Sequence, residues 1–167
     1  MNRARRLRWL VAGALMWVVA VANLSGIKPA YAAGDLARQT PIEVVVELGK
    51  PGTHGFFPDK LRFETGKLYK LVLRNASNDP HYFTSHAFTQ LIYTRKVQVT
   101  QTRDGKTATL AEFKGAIREI EVYPGQTAEW WFVPVAAGRV TDLRCGIADK
   151  DGKTHADHGM IGEIVIE

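Results

Sequence analysis

Short segments of alternating apolar and polar residues restrict the fold of this chain more than any other feature. In the first, Ile42, Val44, Val46 and Leu48 fall on one face, and three of the four are β-branched. This pattern is typical of half-buried strands. Similar segments, separated by residues that favour turns, follow at 61–63, 68–74, 81–84, 117–122, 129–135, 140–145 and 161–166. The sequence therefore predicts an all-β Greek-key sandwich of about eight strands.

Residues 85–116 do not fit this regular series. A helical turn is predicted over 87–93, and a β-hairpin is predicted over 96–113, closed by Asp104-Gly105. We interpret 85–116 as an insertion in the sandwich.

The N-terminal residues have the composition of an export signal. Four arginines precede an apolar run over 9–22, and Ala30-Tyr31-Ala32 offers small residues where a signal peptidase cleaves. The run has 14 residues, fewer than the ~20 needed to span a bilayer. We predict a signal peptide at 1–32, a flexible mature N-terminus at 33–40 and one domain at 41–167. The mature protein is then expected in the periplasm, without stable membrane insertion; an uncleaved anchor is the alternative.

Removal of the signal changes the charge balance. Five of the 22 Lys and Arg residues lie in 1–32, and the remaining 17 match the 17 Asp and Glu residues. Nucleic-acid binding requires a basic surface that displaces counterions. A formally neutral mature chain therefore gives no support to a nucleic-acid partner.

One C-terminal segment, 145–160, concentrates donors that favour soft metals. It holds the only cysteine of the chain, Cys145, together with His155, His158 and Met160. A trigonal His2Cys set with a weak axial methionine is the donor set of blue-copper electron-transfer sites. A second imidazole must then come from elsewhere, and His81 is the candidate. The alternative for Cys145 is a small buried apolar residue, as free cysteine often is.

Three motifs resemble those of small cupredoxins of the plastocyanin and pseudoazurin kind. The C-terminal one is Cys145-x9-His155-x4-Met160, followed by the final apolar segment. A second is Asn75-x5-His81, with a proline just before the histidine. The third begins at Pro124-Gly-Gln-Thr and continues through Trp-Trp-Phe to Gly138. The resemblance covers most of 41–167, but nine residues separate the cysteine from the histidine, where plastocyanin-like proteins have far fewer.

The resemblance implies a single copper ion bound by His81, Cys145, His155 and Met160. The less favoured substitutes are His86 for His81 and His158 for His155. His54, in a glycine-rich stretch expected to be a turn, is interpreted as an ordinary surface residue.

A copper site of this kind implies a monomeric electron carrier that cycles between Cu(I) and Cu(II) and meets redox protein partners. Periplasmic copper handling, by resistance, buffering or delivery, is the alternative on the same fold. We expect no enzymatic activity, because a saturated ligand set leaves no position for a substrate. Two further alternatives are zinc bound by Cys145, His155 and His158, and a Cys145–His155 nucleophile pair.

Overall fold

The computed structural model describes residues 39–167. The predicted signal peptide, and all but the end of the predicted flexible N-terminus, lie outside the described residues. Gln39 is anchored, since its Oε1 accepts a hydrogen bond of 2.9 Å from the Leu68 amide. Within 39–167, no helix has both the length and the apolar character that a bilayer crossing requires.

Strands make up almost all of the regular secondary structure of the described residues. In order, the elements are β1 (Ile42–Lys50), β2 (Thr53–Phe57), β3 (Lys60–Phe63), β4 (Tyr69–Arg74), β5 (His81–Thr84), α1 (His86–Gln90), β6 (Ile92–Arg103), β7 (Lys106–Phe113), β8 (Glu119–Val122), β9 (Thr127–Pro134), β10 (Gly138–Arg144) and β11 (Ile161–Ile166). The eight strands predicted by alternation are all present. The predicted hairpin of the insertion supplies β6 and β7. The remaining strand of the eleven described, β2, was not predicted.

The strands form two mixed sheets. The six-stranded sheet has the order β2-β1-β4-β9-β6-β7, and the five-stranded sheet has the order β3-β11-β10-β5-β8. Only β1 with β4 and β3 with β11 pair in parallel among the described strands. Parallel neighbours require crossover connections, which here pass from one sheet to the other. The predicted β-sandwich is confirmed, and the fold is cupredoxin-like.

Alternation decides which face of each strand is buried. In β8, Ile120 and Val122 are buried while Glu119 and Glu121 are exposed, as expected of an antiparallel strand with one wet face. In β9, Trp130 is only 1% exposed, whereas Trp131 is half-buried on the other face, under the Lys96 ammonium at 4.9 Å. One tryptophan therefore packs in the core, and its neighbour lies on the outer face of the sheet.

Aromatic side chains fill much of the space between the sheets. Phe88 of α1 contacts Trp130 and Phe132 edge to face, with ring centroids 5.7 and 5.2 Å apart. Phe63 of the opposite sheet contacts Phe132 in the same way, at 5.1 Å. Such pairs add to the large apolar area that each ring buries. The short helix of the insertion is therefore part of the core.

The rest of the insertion extends one sheet. The β6–β7 hairpin is closed by Asp104 (φ 51°) and Gly105 (φ 72°), two consecutive left-handed residues of the kind that a type I′ turn requires. The predicted hairpin is thus confirmed. Strand β6 also pairs with β9 over 92–100, so β7 becomes the edge strand of the six-stranded sheet.

One end of the sandwich collects the predicted donors. His81 is the first residue of β5, Cys145 follows the last residue of β10, and Met160 precedes β11. Strands β5 and β10 are neighbours in the five-stranded sheet, with Thr84 opposite Arg144. The fold therefore brings the loop before β5 and the loop after β10 to the same end.

Candidate metal centre

Three donor side chains meet in the interior at this end. The His81 Nδ1 lies 3.1 Å from the His155 Nδ1. The Cys145 Sγ lies 3.4 Å from the His155 Nδ1 and 4.0 Å from the His81 Nδ1. Ligands of one ion, with metal–nitrogen bonds of about 2.0 Å and a metal–sulfur bond of about 2.3 Å, lie roughly 3.3–3.8 Å apart. The three separations lie within about 0.2 Å of this range, so small shifts suffice for a single metal ion. Thiolate with imidazole is a donor set that suits copper.

Met160 is held beside these residues by its backbone. Its amide donates to the His155 carbonyl oxygen at 2.9 Å, and its carbonyl oxygen accepts from the Cys145 amide at 3.1 Å. The side chain is fully buried, in the same apolar cluster as Cys145. All four residues predicted as ligands are therefore brought to one buried region.

The cysteine sulfur is buried, and backbone amides as well as the two imidazoles face it. Cys145 is fully buried, and the Tyr82 amide donates to its Sγ at 3.2 Å. Burial raises the pKa of the Cys145 thiol, although the amides of Ile147 and Tyr82 oppose the rise. The metal-free protein therefore carries a thiol, and a bound metal must displace the proton.

His81 is fixed from the side opposite the other donors. Its Nε2 lies 2.8 Å from the Ser77 Oγ, and that hydroxyl donates to the Asn75 Oδ1 at 2.8 Å. The Asn75 Nδ2 in turn donates to the carbonyl oxygens of Asp79 and Val122. The loop before β5 is thus a hydrogen-bonded frame that sets the orientation of the imidazole.

Gly49 is required next to this ring. A Cβ at Gly49 would lie 2.4 Å from the His81 Nε2, and the Gly49 φ of +69° is itself unfavourable for other residues.

The His81 ring is held neutral at physiological pH, because burial, and then the charges of His155 and His54, lower the pKa of His81 to about 4. A neutral imidazole is the form that binds a metal.

The loop between Cys145 and His155 folds back over the histidine. The Asp149 Oδ1 lies 3.3 Å from the His155 Nε2, and its Oδ2 lies 3.0 Å from the His158 Nε2. A β-bridge between Ala148 and Thr154 closes the loop. Burial lowers the pKa of His155, with His54 as the next cause, while Asp149 opposes the change. The extra residues of this loop therefore supply a carboxylate that orients the second imidazole.

His54 is a member of the cluster that the sequence did not predict. Its ring stacks on that of His155, with centroids 4.0 Å apart and an interplanar angle of 21°, and lies 5.8 Å from His81. The expectation of an ordinary surface residue was wrong. Its glycines make the stretch 49–55 resemble a turn, but pairing with β1 makes 53–57 a strand and directs His54 toward the donors.

The two substitute histidines lie outside the three-donor group. His86 is exposed at the start of α1. The side chain of His158 is 34% exposed and bound to Asp149, and it forms a second possible metal-binding group with Asp149 and Asp151.

Comparison with known proteins gives matches only at the level of structure. No family model and no curated protein matches this chain. An auracyanin of Roseiflexus castenholzii has 12% identity and a TM-score of 0.44, over 75% of this chain and 96% of its own. Auracyanin A, a "blue" copper protein of Chloroflexus aurantiacus, has 14% identity and a TM-score of 0.42, over 77% and 100%.

A multicopper oxidase of Campylobacter jejuni has 21% identity and a TM-score of 0.45, over 64% of this chain; the match spans 20% of the oxidase. At these TM-scores the matches carry no argument about function. The description of the fold as cupredoxin-like therefore rests on the strand order and on the position of the donors at one end of the sandwich.

Proposed function

We propose that this protein is a one-electron carrier whose single copper ion is bound by His81, Cys145, His155 and Met160. One observation carries the proposal. Donors of His81, Cys145 and His155, which come from two separate chain segments, converge at separations of 3.1–4.0 Å in an interior where each of these residues is at most 1% exposed. Bound copper would supply reversible one-electron chemistry between Cu(I) and Cu(II).

The protein's own residues serve this role by fixing the donors before metal binding. Ser77 restrains His81, Asp149 restrains His155, and the Tyr82 amide points at the Cys145 sulfur. Hydrogen bonds to ligands and the exclusion of water tune the potential of a metal site. Because the donors are restrained independently of the ion, the same positions serve both oxidation states.

The composition and the N-terminal sequence support the rest of the proposal. A signal peptide cleaved after Ala32 would deliver a monomer to the periplasm, where it exchanges electrons with redox proteins. The balanced charges of the mature chain, 17 of each sign, do not favour nucleic acid. N-terminal sequencing of the protein from a periplasmic extract tests the export step, with Ala33 as the expected first residue.

The main experiment is a visible spectrum of the copper-loaded mature protein, combined with voltammetry. We expect an intense thiolate-to-Cu(II) band, a reversible one-electron couple and one copper per chain. Cys145→Ser should abolish the band, whereas His86→Ala, at an exposed histidine, should leave it unchanged. A band that persists in Cys145→Ser would contradict the assignment of the sulfur ligand.

Copper handling is the second candidate, favoured by one observation. Asp149, Asp151 and His158 form another donor group beside the proposed centre. Two tightly bound copper ions per chain, with the second lost in His158→Ala, would favour buffering or delivery. One copper per chain in both proteins would favour the electron carrier.

A further inference from the structure

We propose that His54 is an additional ligand of the metal ion, so that the centre contains three imidazoles. This inference rests on the proposed copper site and extends its donor set. The ring nitrogen Nδ1 of His54 is buried and has no hydrogen-bond partner. Buried polar atoms are nearly always paired, so an unpaired nitrogen beside a donor cluster requires an explanation.

The position of the ring supplies that explanation. One nitrogen of each of His54, His81 and His155 lies within 4.8 Å of the others. A neutral imidazole has one N–H donor and one nitrogen with a free lone pair. If the proton is on Nε2, the lone pair of the unpaired Nδ1 is available to a metal. Since ligands of one ion lie roughly 3.3–3.8 Å apart, a shift of about 1 Å brings a His54 nitrogen to ligand spacing from those of His81 and His155.

The fold allows such a shift. His54 lies on β2, which is at the edge of the six-stranded sheet and pairs only with β1 among the described strands. Gly52, with φ +74° and no atom within 4 Å of a Cβ built on it, connects the two strands. His81 comes from the other sheet, so His54 would join the two sheets through the ion.

Stacking on His155 is the competing role for His54. The ring centroids of His54 and His155 are 4.0 Å apart, and the ring planes meet at 21°. In this competing role His54 would position His155 by stacking and would not bind the metal itself. The two roles differ in one atom, because stacking needs a ring and ligation needs a nitrogen. His54→Phe keeps an aromatic ring against His155 without a donor, whereas His54→Ala removes both.

A third imidazole has a direct chemical consequence. Tetragonal sites with several nitrogen donors suit Cu(II), so His54 ligation would stabilise Cu(II) relative to Cu(I). The reduction potential should therefore be lower in the wild-type protein than in either variant. Three imidazoles also form a donor set that binds zinc in other proteins, so the centre should retain metal affinity when the thiolate is removed.

Pulsed EPR of the Cu(II) protein labelled with 15N-histidine counts the imidazoles directly. We expect three in the wild type, two in His54→Phe and His54→Ala, and three in the His86→Ala control. Cu(II) affinity should fall at least about tenfold in both His54 variants, and their potential should rise. Circular dichroism of each variant establishes that it is folded.

Two imidazoles in the wild type, or a His54→Phe protein with unchanged imidazole count and potential, would overturn the proposal. A zinc titration of Cys145→Ser and of Cys145→Ser/His54→Phe separates this inference from the proposed function. Binding by the first and at least tenfold weaker binding by the second supports the three-histidine set, and equal binding overturns it. Absence of the thiolate band from the wild type would instead contradict the electron-carrier proposal.

Discussion

The donor end of the sandwich and the β6–β7 hairpin have opposite surroundings. At the donor end, His81 and Cys145 are fully buried and each of their polar atoms has a neighbour in the cluster. On β7, every residue except Ala111 is exposed, with Leu110 58% and Phe113 53% exposed. Alternation alone specifies a strand; the opposing sheet decides whether its apolar face becomes a core or remains a surface.

The largest contrast should appear in stability. Phe83, fully buried two residues after His81, packs against Phe56 at 5.6 Å and Trp130 at 6.3 Å between ring centroids. Phe83→Ala should lower the free energy of unfolding of the metal-free protein by about 3–5 kcal/mol, because it removes a buried ring and leaves a cavity.

Leu110→Ala truncates an exposed apolar side chain on β7. It should alter the free energy of unfolding by less than about 0.5 kcal/mol. Urea denaturation measures both free energies. Similar losses in the two variants would show that the hairpin is covered in solution and would break the comparison.

The pH dependence of stability should also originate at the donor end. Burial lowers the pKa of His81 from its ordinary 6.5 to about 4, so between these values the unfolded chain binds more protons than the folded one. The metal-free protein should therefore lose stability as the pH falls from 6.5 to about 4. The loss attributable to His81 is on the order of 3 kcal/mol.

Urea denaturation at a series of pH values tests this. The slope of the free energy of unfolding against pH should be smaller in His81→Gln than in the wild type and unchanged in His86→Ala. An equal slope in His81→Gln and the wild type would place the acid sensitivity elsewhere.

Removal of the Ser77 hydroxyl should have a smaller effect on stability but should also weaken copper binding. Ser77→Ala deprives the His81 Nε2 of its partner at 2.8 Å and should cost about 1–2 kcal/mol of stability. Copper affinity should fall about 10–100-fold, because the imidazole is no longer oriented.

Thr102→Ala on the hairpin is the control, since it also breaks a hydroxyl contact of 2.8 Å, to Thr107, but on an exposed surface. Thr102→Ala should change neither the free energy of unfolding nor the copper affinity measurably. Equal copper affinities for Ser77→Ala and the wild type, measured by competition with a chelator, would show that the frame around His81 is not needed.

The smallest effect is expected at the turn of the hairpin. Gly105 has a φ of +72° and open space where a Cβ would lie, so Gly105→Ala should cost only the backbone strain of about 1 kcal/mol. Copper affinity should not change. Asp104→Gly, which relaxes the neighbouring φ of 51°, should shift stability by less than about 0.5 kcal/mol. A change of copper affinity in Gly105→Ala, detected by the same competition, would indicate coupling between the two regions.

Much of the fold was predictable because its signals are local. The alternation in β1 and β8 and the Asp104-Gly105 turn each depend on a few neighbouring residues, and all three predictions are confirmed. Strand β2 was not predicted, because glycines such as Gly52 and Gly55 favour turns. Only its pairing with β1 makes it a strand.

The sequence by itself determined which donors the chain possesses and where most of its strands lie, because side-chain chemistry and two-residue periodicity are properties of short segments. Only the tertiary structure decided which imidazoles meet the sulfur of Cys145. His54 and Asp149 joined the cluster through the β1–β2 pairing and the closure of the loop before His155. Such proximity arises from strand pairing and loop closure between distant segments, which no local pattern specifies.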